Sequence, residues 1–546
     1  MSAGSVADVV GATLTALGAD HVFGVVGSGN FHVTNALVRH GARFVATRHE
    51  GGAATAADAY ARVSGRAALV SVHQGCGLTN AMTGIAEAAK SRTPMLVLAA
   101  EPAATALRSN FRVDQDALAR AVGASADRVH GAGTAVADVT RAWRTATGER
   151  RTVLLNLPLD VQAEPASIVD PPAGPAPHPP RAADEAVRAL ADLLATADRP
   201  VFIAGRGALD ARTELADLAT ACGALLATSA VAKGLFAGNE WNLDVSGGFA
   251  TPLAAELIAA ADVVVAWGAS LNMWTTRHGA LVGAAATVVQ VDLDPAALGA
   301  HHRVDLGITG DVRSSALAVR AVLPRTTNGY HTPDVRARLR TRGRWRDVPF
   351  VDDGDDRHVD PRTVSIALDD LLPVSRVVAV DSGNFMGYPS MFLSVPDRRG
   401  FCFTQAFQSI GLGLATALGA ALAAPDRLPV AACGDGGFLM GIAELETIRR
   451  LGLGMLIVVY NDAAYGAEVH HFGPHGHPLS TVTFPETDLA AIARGYGCAA
   501  ATVRGPDDLA PVGTWLAGPR DVPMVIDAKI SPSRPSWWLE EAFRGH

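Results

Sequence analysis

Short, β-branched apolar runs recur along the whole chain. Among them are "HVFGVV", "AALVSV", "PMLVLA", "TVLLNLP", "PVFIAG", "DVVVAWG", "TVVQVDLD", "RVVAVDSG", "LPVAACGDG", "GMLIVVYND" and "VPMVIDA". A strand that is apolar on both faces needs cover on both faces, and a parallel sheet flanked by helices provides it. Ala/Leu-rich stretches of helical character separate the runs. Buried strands alternating with helices specify an α/β chain of doubly wound parallel sheets.

The chain has 546 residues, too many for one core, and length alone suggests three or four domains. Two breaks divide it. Residues 169–186, "VDPPAGPAPHPPRAADEA", read as a stiff Pro/Ala linker. Residues 327–363 hold a basic helix followed by an acidic turn. The expected domains are therefore 1–168, 185–325 and 360–546, three in tandem. The first and third share an order of elements: a strand ending in a glycine-containing turn, a helix, then a further strand.

Charge and cysteine usage narrow the function. The net charge is -8, and no basic block signals a nucleic-acid partner. The five cysteines (Cys76, Cys222, Cys402, Cys433 and Cys498) are scattered without a CxxC pair, so neither a zinc site nor a disulfide framework is expected. The N-terminal stretch is an amphipathic helix pattern without the basic start of a signal peptide. No apolar run is long enough to span a bilayer. A soluble, cytoplasmic protein with no membrane partner is the expectation.

One turn carries the chemistry. The run "LPVAACGDGGF" places Asp435 between Gly434, Gly436 and Gly437 where a buried strand should end. Standing alone, Gly-Asp-Gly is a common turn. In an open α/β sheet, however, ligands bind beyond the carboxyl ends of strands. A glycine turn there offers backbone N–H groups to a diphosphate. Mg²⁺ would neutralise that charge and takes oxygen ligands, which Asp435 can supply. The next strand, "GMLIVVYND", ends at Asn461 and Asp462, one helix and one strand further on. That spacing brings Asp462 to the same site, and a carbonyl in "AAYG" (463–466) can add a third ligand.

The segment "GDGGFLMGIAELETIRRLGLGMLIVVYNDAAYG" resembles the thiamine-diphosphate motif, Gly-Asp-Gly followed some two dozen residues later by Asn-Asn. The second Asn of the family is here Asp462. A second resemblance lies in "FVATRHEGGAATAADAYARVSG" (44–65), which places Glu50 at the family's catalytic glutamate. Read from composition, a glutamate opening a helix is usually a first-turn charge. Two matches in the right order favour the family reading. The similarity covers nearly the whole chain and the three-domain order of the acetolactate synthase and pyruvate oxidase group.

The resemblance implies a pyrimidine-binding domain, a central domain and a diphosphate-binding domain. It implies thiamine diphosphate and Mg²⁺, with Asp435, Asp462 and the carbonyl of Ala464 as metal ligands and Asn461 behind them. Glu50 would hydrogen-bond the pyrimidine ring and activate it. Cofactor contacts carry over to Ser382, Gly383 and Asn384 in "AVDSGNF", to Gln408 and Ile410 in "QSIGLGLA", and to Gly434, Gly436, Gly437, Tyr465 and Gly466. Ile410 would support the bent cofactor; on bulk grounds it is equally an ordinary core residue. The family's catalytic glutamate comes from a neighbouring subunit, which implies a homodimer or homotetramer with active sites at the interface.

Residues facing the ring decide the reaction. "SVHQGCGLTNAM" (71–82) and "FGVVGSG" (23–29) resemble benzoylformate decarboxylase and place His73 and Ser28 as proton-transfer candidates. Glu468 falls where pyruvate decarboxylases carry an active-site glutamate; its plain reading is an exposed helix glutamate. Gln115 resembles the glutamine that approaches the cofactor in the acetolactate synthases. The Val and Trp that receive the second substrate in those synthases are missing here. The flavin signature Arg-Phe-Asp-Asp is missing from "AWGASLNMWTTRHG" (266–279), which argues against FAD, although "VDLD" and "GDV" resemble flavin-binding relatives. His278 resembles, with an offset alignment, a middle-domain histidine that projects toward the active site in benzoylformate decarboxylase, and His470 and His471 are left open between substrate and solvent. The expectation is a decarboxylase or carboligase of a 2-oxo acid, aromatic or small and polar, with a true acetolactate synthase and a non-catalytic cofactor-binding homologue as alternatives. An NAD dehydrogenase is set aside because "GSGNFH" and "GRGALD" fail at the third glycine.

Overall fold

A computed structural model describes residues 3–172 and 178–542; the expected linker falls partly on residues 173–177, outside the described residues. The chain builds three six-stranded parallel sheets, each packed with helices. In the N-terminal sheet the strands lie in the order Arg43–Ala46, His21–Gly24, Ala68–Val72, Met95–Glu101, Thr152–Pro158, Ser125–Arg128. The C-terminal sheet runs Phe401–Phe403, Arg376–Val380, Leu428–Gly434, Leu456–Asn461, Met524–Lys529, Ala499–Val503. Numbered within each sheet, both orders are 2-1-3-4-6-5. The central sheet, from Pro200–Ala204 to Leu306–Thr309, has the order 3-2-1-4-5-6.

The inner strands are apolar because both their faces are covered. Ala68–Val72, Thr152–Pro158, Arg376–Val380 and Leu456–Asn461 are buried along their whole length. Every run named from the sequence lies on a strand of the three sheets. The short outer strands, such as Arg43–Ala46 and Ser125–Arg128, carry charge and gave no comparable signal. Neither did a small antiparallel pair, Ala3–Ser5 with Pro165–Ser167.

In a 2-1-3-4-6-5 sheet the chain reverses its direction of growth between the first and third strands. The carboxyl ends of those two strands splay apart and leave a crevice. In the N-terminal sheet the crevice opens between the turns after His21–Gly24 and Ala68–Val72. In the C-terminal sheet it opens between the turns after Arg376–Val380 and Leu428–Gly434. All the candidate chemistry of the sequence falls at these two places or on the elements beside them.

The two outer sheets do not stand apart. The helix Glu50–Ser64 packs along the helix Gly413–Ala423. Both are rich in Ala and Gly, and one hydrophobic core runs through them from Phe23 and Val70 to Ala431 and Ile457. A buried charge cluster pins the same junction. Arg62 bridges Asp58 at 2.6 Å and Glu87 at 2.7 Å, and donates to the Phe403 carbonyl at 2.9 Å. Arg206 of the central domain donates to the carbonyl of Ser91 beside it.

Candidate functional site

The N-terminal crevice is set by buried polar anchors. Asn30, fully buried, accepts from the Gly27 N–H at 2.8 Å and donates to the Val25 carbonyl and to Ser71 Oγ. This fixes the turn that carries Ser28 at its exposed tip. Across the gap, His73 follows the strand Ala68–Val72. Its Nε2 lies 3.4 Å from Ser28 Oγ, and its Nδ1 lies 3.0 Å from the Gln74 carbonyl oxygen. A carbonyl oxygen only accepts, so the proton sits on Nδ1. In the neutral ring Nε2 is then an acceptor turned toward the serine hydroxyl. The Phe111 ring stands edge-on to the imidazole with centroids 4.9 Å apart.

Glu50 is the first residue of its helix, capped by His49, whose Nδ1 accepts from the Gly51 N–H. The Glu50 carboxylate accepts from Asn80 Nδ2 at 3.0 Å. A Cβ built on Gly77 would lie 3.3 Å from Glu50 Oε1 and 3.1 Å from His73 Cβ. Glu50, His73 and Ser28 therefore line one edge of the N-terminal sheet. Gln115 sits beneath them, buried, with both ends of its amide engaged. It accepts from the Gly75 N–H at 3.2 Å and donates to Asn156 at 2.7 Å. It holds the turn that follows His73.

At the C-terminal crevice Asp435 opens the short helix Asp435–Gly441 and is 9% exposed. The single helix expected between Asp435 and the next strand is broken: a second helix, Glu444–Arg450, begins after residues 442–443. Asp462 follows the strand Leu456–Asn461. Burial pushes the Asp435 carboxyl up to about 6. Burial, and then the Asp435 carboxylate, push Asp462 up to about 7. Two buried acids, one of which raises the other, form a site short of positive charge. Asn461 faces away from it: its amide donates to Asp527 at 2.8 Å and accepts from the Ala463 N–H. This ties the Ala463–Ala464 bend, where Ala463 has φ 54°.

Ser382, Gly383 and Asn384 form the facing turn, with Gly383 at φ 137°. Asn384 Oδ1 is buried without a hydrogen-bond partner. A Cβ on Gly466 would come within 2.4 Å of Asp462 Oδ2 and 3.0 Å of Asn384 Nδ2. The structure thus brings Asn384, Asp462 and Gly466 together, with Asp435 beside them. Tyr465 precedes the helix Gly466–Phe472 and packs its ring on Phe484. Glu468, His470 and His471 lie on that helix, all partly exposed. Gln408 is exposed with φ 62°, and Ile410 is partly buried in the same loop. His278, with φ 52°, lies in the central domain. Among the described residues, no hydrogen bond joins Glu50 to Asp435 or Asp462.

Two carboxylates went unread in the sequence. Asp381, fully buried, follows the strand Arg376–Val380. It accepts from the N–H groups of Ser382, Gly411 and Leu412 at 2.8, 3.1 and 3.1 Å, and so shapes the Ile410 loop. Its place at a strand end was the available signal. Glu444 accepts from the N–H groups of Arg48 and His49 at 3.1 and 3.0 Å. Those partners lie almost 400 residues away, and no local pattern reveals them.

Three family models match the chain. The thiamine pyrophosphate enzyme N-terminal TPP-binding domain matches residues 4–120, the central domain 187–319 and the C-terminal TPP-binding domain 381–528. A probable 2-ketoarginine decarboxylase of Pseudomonas aeruginosa is 30% identical, over 90% of this chain and 88% of that protein. An acetolactate synthase large subunit of Parasynechococcus marenigrum is 28% identical, over 88% and 80%. A sulfoacetaldehyde acetyltransferase of Alcaligenes xylosoxydans xylosoxydans is 28% identical, over 84% and 81%.

Proposed function

The chain belongs to the thiamine pyrophosphate enzyme family, and on that premise we propose that it is a Mg²⁺-dependent decarboxylase of a 2-oxo acid that returns a proton to the product. The observation that carries this reading is the Ser28–His73 pair, whose tautomer leaves Nε2 facing the crevice beside Glu50.

The residues present fit the cofactor. The orphaned Oδ1 of Asn384, the buried and raised carboxyls of Asp435 and Asp462, and the glycine approach at Gly466 make a cradle for a metal-bound diphosphate. Asp435, Asp462 and the Ala464 carbonyl would hold Mg²⁺. Ser382, Gly383, Asn384, Gly436 and Gly466 would receive the diphosphate, and Ile410 the middle of the molecule. When bound, thiamine diphosphate supplies a nucleophilic ring carbon and a sink for the electrons released with CO₂.

The protein's part is proton placement. Glu50 holds a proton for the aminopyrimidine ring. His73 accepts at Nε2 in its neutral form and donates there once protonated, and the Ser28 hydroxyl can relay to it. Glu468 is a second acid on the diphosphate side. A homodimer completes the site: Glu50 of one protomer faces the diphosphate turn of its partner. In support, exposed apolar side chains flank both crevices, Val26 and Phe31 on one and Phe407, Leu439 and Met440 on the other.

A second reading is carboligation, favoured by the similarity to the acetolactate synthase and the acetyltransferase along most of their length. The purified protein with thiamine diphosphate and Mg²⁺ decides between them. It is offered pyruvate, benzoylformate and 2-ketoarginine, and CO₂ and organic products are followed by mass spectrometry. Aldehyde as the main product supports the decarboxylase. Acetolactate or another acyloin moves the chain to the carboligases. No CO₂ from any acid, with cofactor bound, overturns both.

A further inference from the structure

We propose that Glu444 is a positioning residue for Glu50. The inference rests on the reading of Glu50 as the group that activates the cofactor.

Glu444 opens the helix Glu444–Arg450 and is 3% exposed. Its Oε1 accepts from the N–H groups of Arg48 and His49, and its Oε2 accepts from Thr447 Oγ1 at 2.7 Å. Arg48 and His49 are the two residues immediately before Glu50. His49 is also the cap of the Glu50 helix. The backbone that aims Glu50 is therefore hung on a carboxylate of the C-terminal domain. The neighbouring Gly52 makes room for it: a Cβ there would lie 2.3 Å from Glu444 Oε1.

A mirror-image arrangement argues that this is a device of the fold and no chance contact. Glu87, buried on the helix Cys76–Lys90, accepts from the N–H groups of Ala406 and Phe407 at 3.1 and 2.6 Å. Those two residues precede Gln408 and Ile410, the loop expected to hold the cofactor from the other domain. Each outer domain thus lends one buried glutamate to the other's cofactor-facing loop. In both cases the acceptor takes two consecutive backbone N–H groups, which fixes the direction of the peptide as well as its position. A carboxylate aimed at a ring nitrogen needs that control, because a displacement of about 1 Å at a reacting group lowers rates by as much as about 100-fold.

The test compares wild type, Glu444→Gln and Gly52→Ala, each loaded with thiamine diphosphate and Mg²⁺. One readout is exchange of the cofactor's C2 proton in D₂O, acid-quenched and read by NMR, with no substrate present. The others are thiamine diphosphate affinity and, in protein free of cofactor, amide exchange of the 44–52 segment. Both variants should slow C2 exchange by about tenfold or more, keep cofactor affinity within about threefold, and lose protection at Arg48 and His49. Gly52→Ala leaves every charge in place and decides the matter should Glu444→Gln fail to fold. Wild-type C2 exchange in a folded variant with lost amide protection overturns the proposal. Glu50→Gln separates the two levels: if it exchanges like wild type, the reading of Glu50 fails; if it alone is slow, only the role of Glu444 fails.

Discussion

Ser28 Oγ lies 3.4 Å from His73 Nε2, and the two side chains hang from the strands that flank the point where the N-terminal sheet reverses direction. The crevice forms because the chain grows outward both ways from its first strand. The pair forms because Asn30 holds one turn and Gln115 the other.

Replacing His73 by Ala should lower aldehyde release by about 100-fold or more while leaving thiamine diphosphate affinity unaltered. Ser28→Ala should have the smaller effect, about tenfold, since the hydroxyl acts through the imidazole. Steady-state kinetics on the best 2-oxo acid, with product analysis, checks both. A shift of products from aldehyde to acyloin in His73→Ala would show that the histidine governs the fate of the intermediate.

Asp435 and Asp462 are both raised by burial, and the Asp435 carboxylate pushes Asp462 up further, so the proposed diphosphate site should take up a cation. Chelation of divalent metal should release thiamine diphosphate. Asp435→Ala should weaken cofactor binding by at least about tenfold even at saturating Mg²⁺. Titration calorimetry with and without EDTA reads both effects. Tight binding in the presence of EDTA would remove the metal from the site.

Asp381 gives a pH signature. Burial raises its carboxyl to about 6 in the folded protein, above the ordinary value of about 3.9. The fold therefore favours the protonated acid. The ionised form costs stability at all pH values above 6, and that cost is relieved as pH falls through 6 toward 4. Between pH 7.5 and 5 the stability of wild type relative to Asp381→Asn should rise by about 1.4 kcal/mol. Urea unfolding of the cofactor-free protein at the two pH values measures it. A difference that stays constant would show that Asp381 titrates normally.

Arg62 is enclosed with Asp58 and Glu87, both fully buried. Arg62→Met would leave two buried carboxylates without their counter-charge and should cost about 3–5 kcal/mol of stability. It should also loosen the contact between the outer domains, since Arg62 donates to the Phe403 carbonyl. Thermal unfolding and limited proteolysis together report the two effects.

The buried inner strands were legible because covering both faces forces an unbroken apolar run. The outer strands were silent because one side of each meets solvent and tolerates charge. At the site, Asp435 stood out because it lies between glycines at a strand end, and Asp462 because it follows the end of the next strand, whereas Glu50 and His73 were named through the family resemblance. Gln115 was noticed for another reason, and its buried amide proved to brace the turn after His73. Glu444 was overlooked because its partners are backbone N–H groups remote in sequence, and Asp381 because a place at a strand end was its only local signal.

By itself, then, the sequence determined the class of fold and the turns able to carry chemistry. Both follow from local patterns of apolar and glycine residues, which act over one or two elements. The tertiary structure alone decided which of those turns meet: Ser28 with His73, Asn384 with Asp462, and the Glu50 turn with Glu444. Such pairings depend on strand order and on the packing of one domain against another. These are set by the summed burial of many side chains, and no short stretch of the chain encodes them.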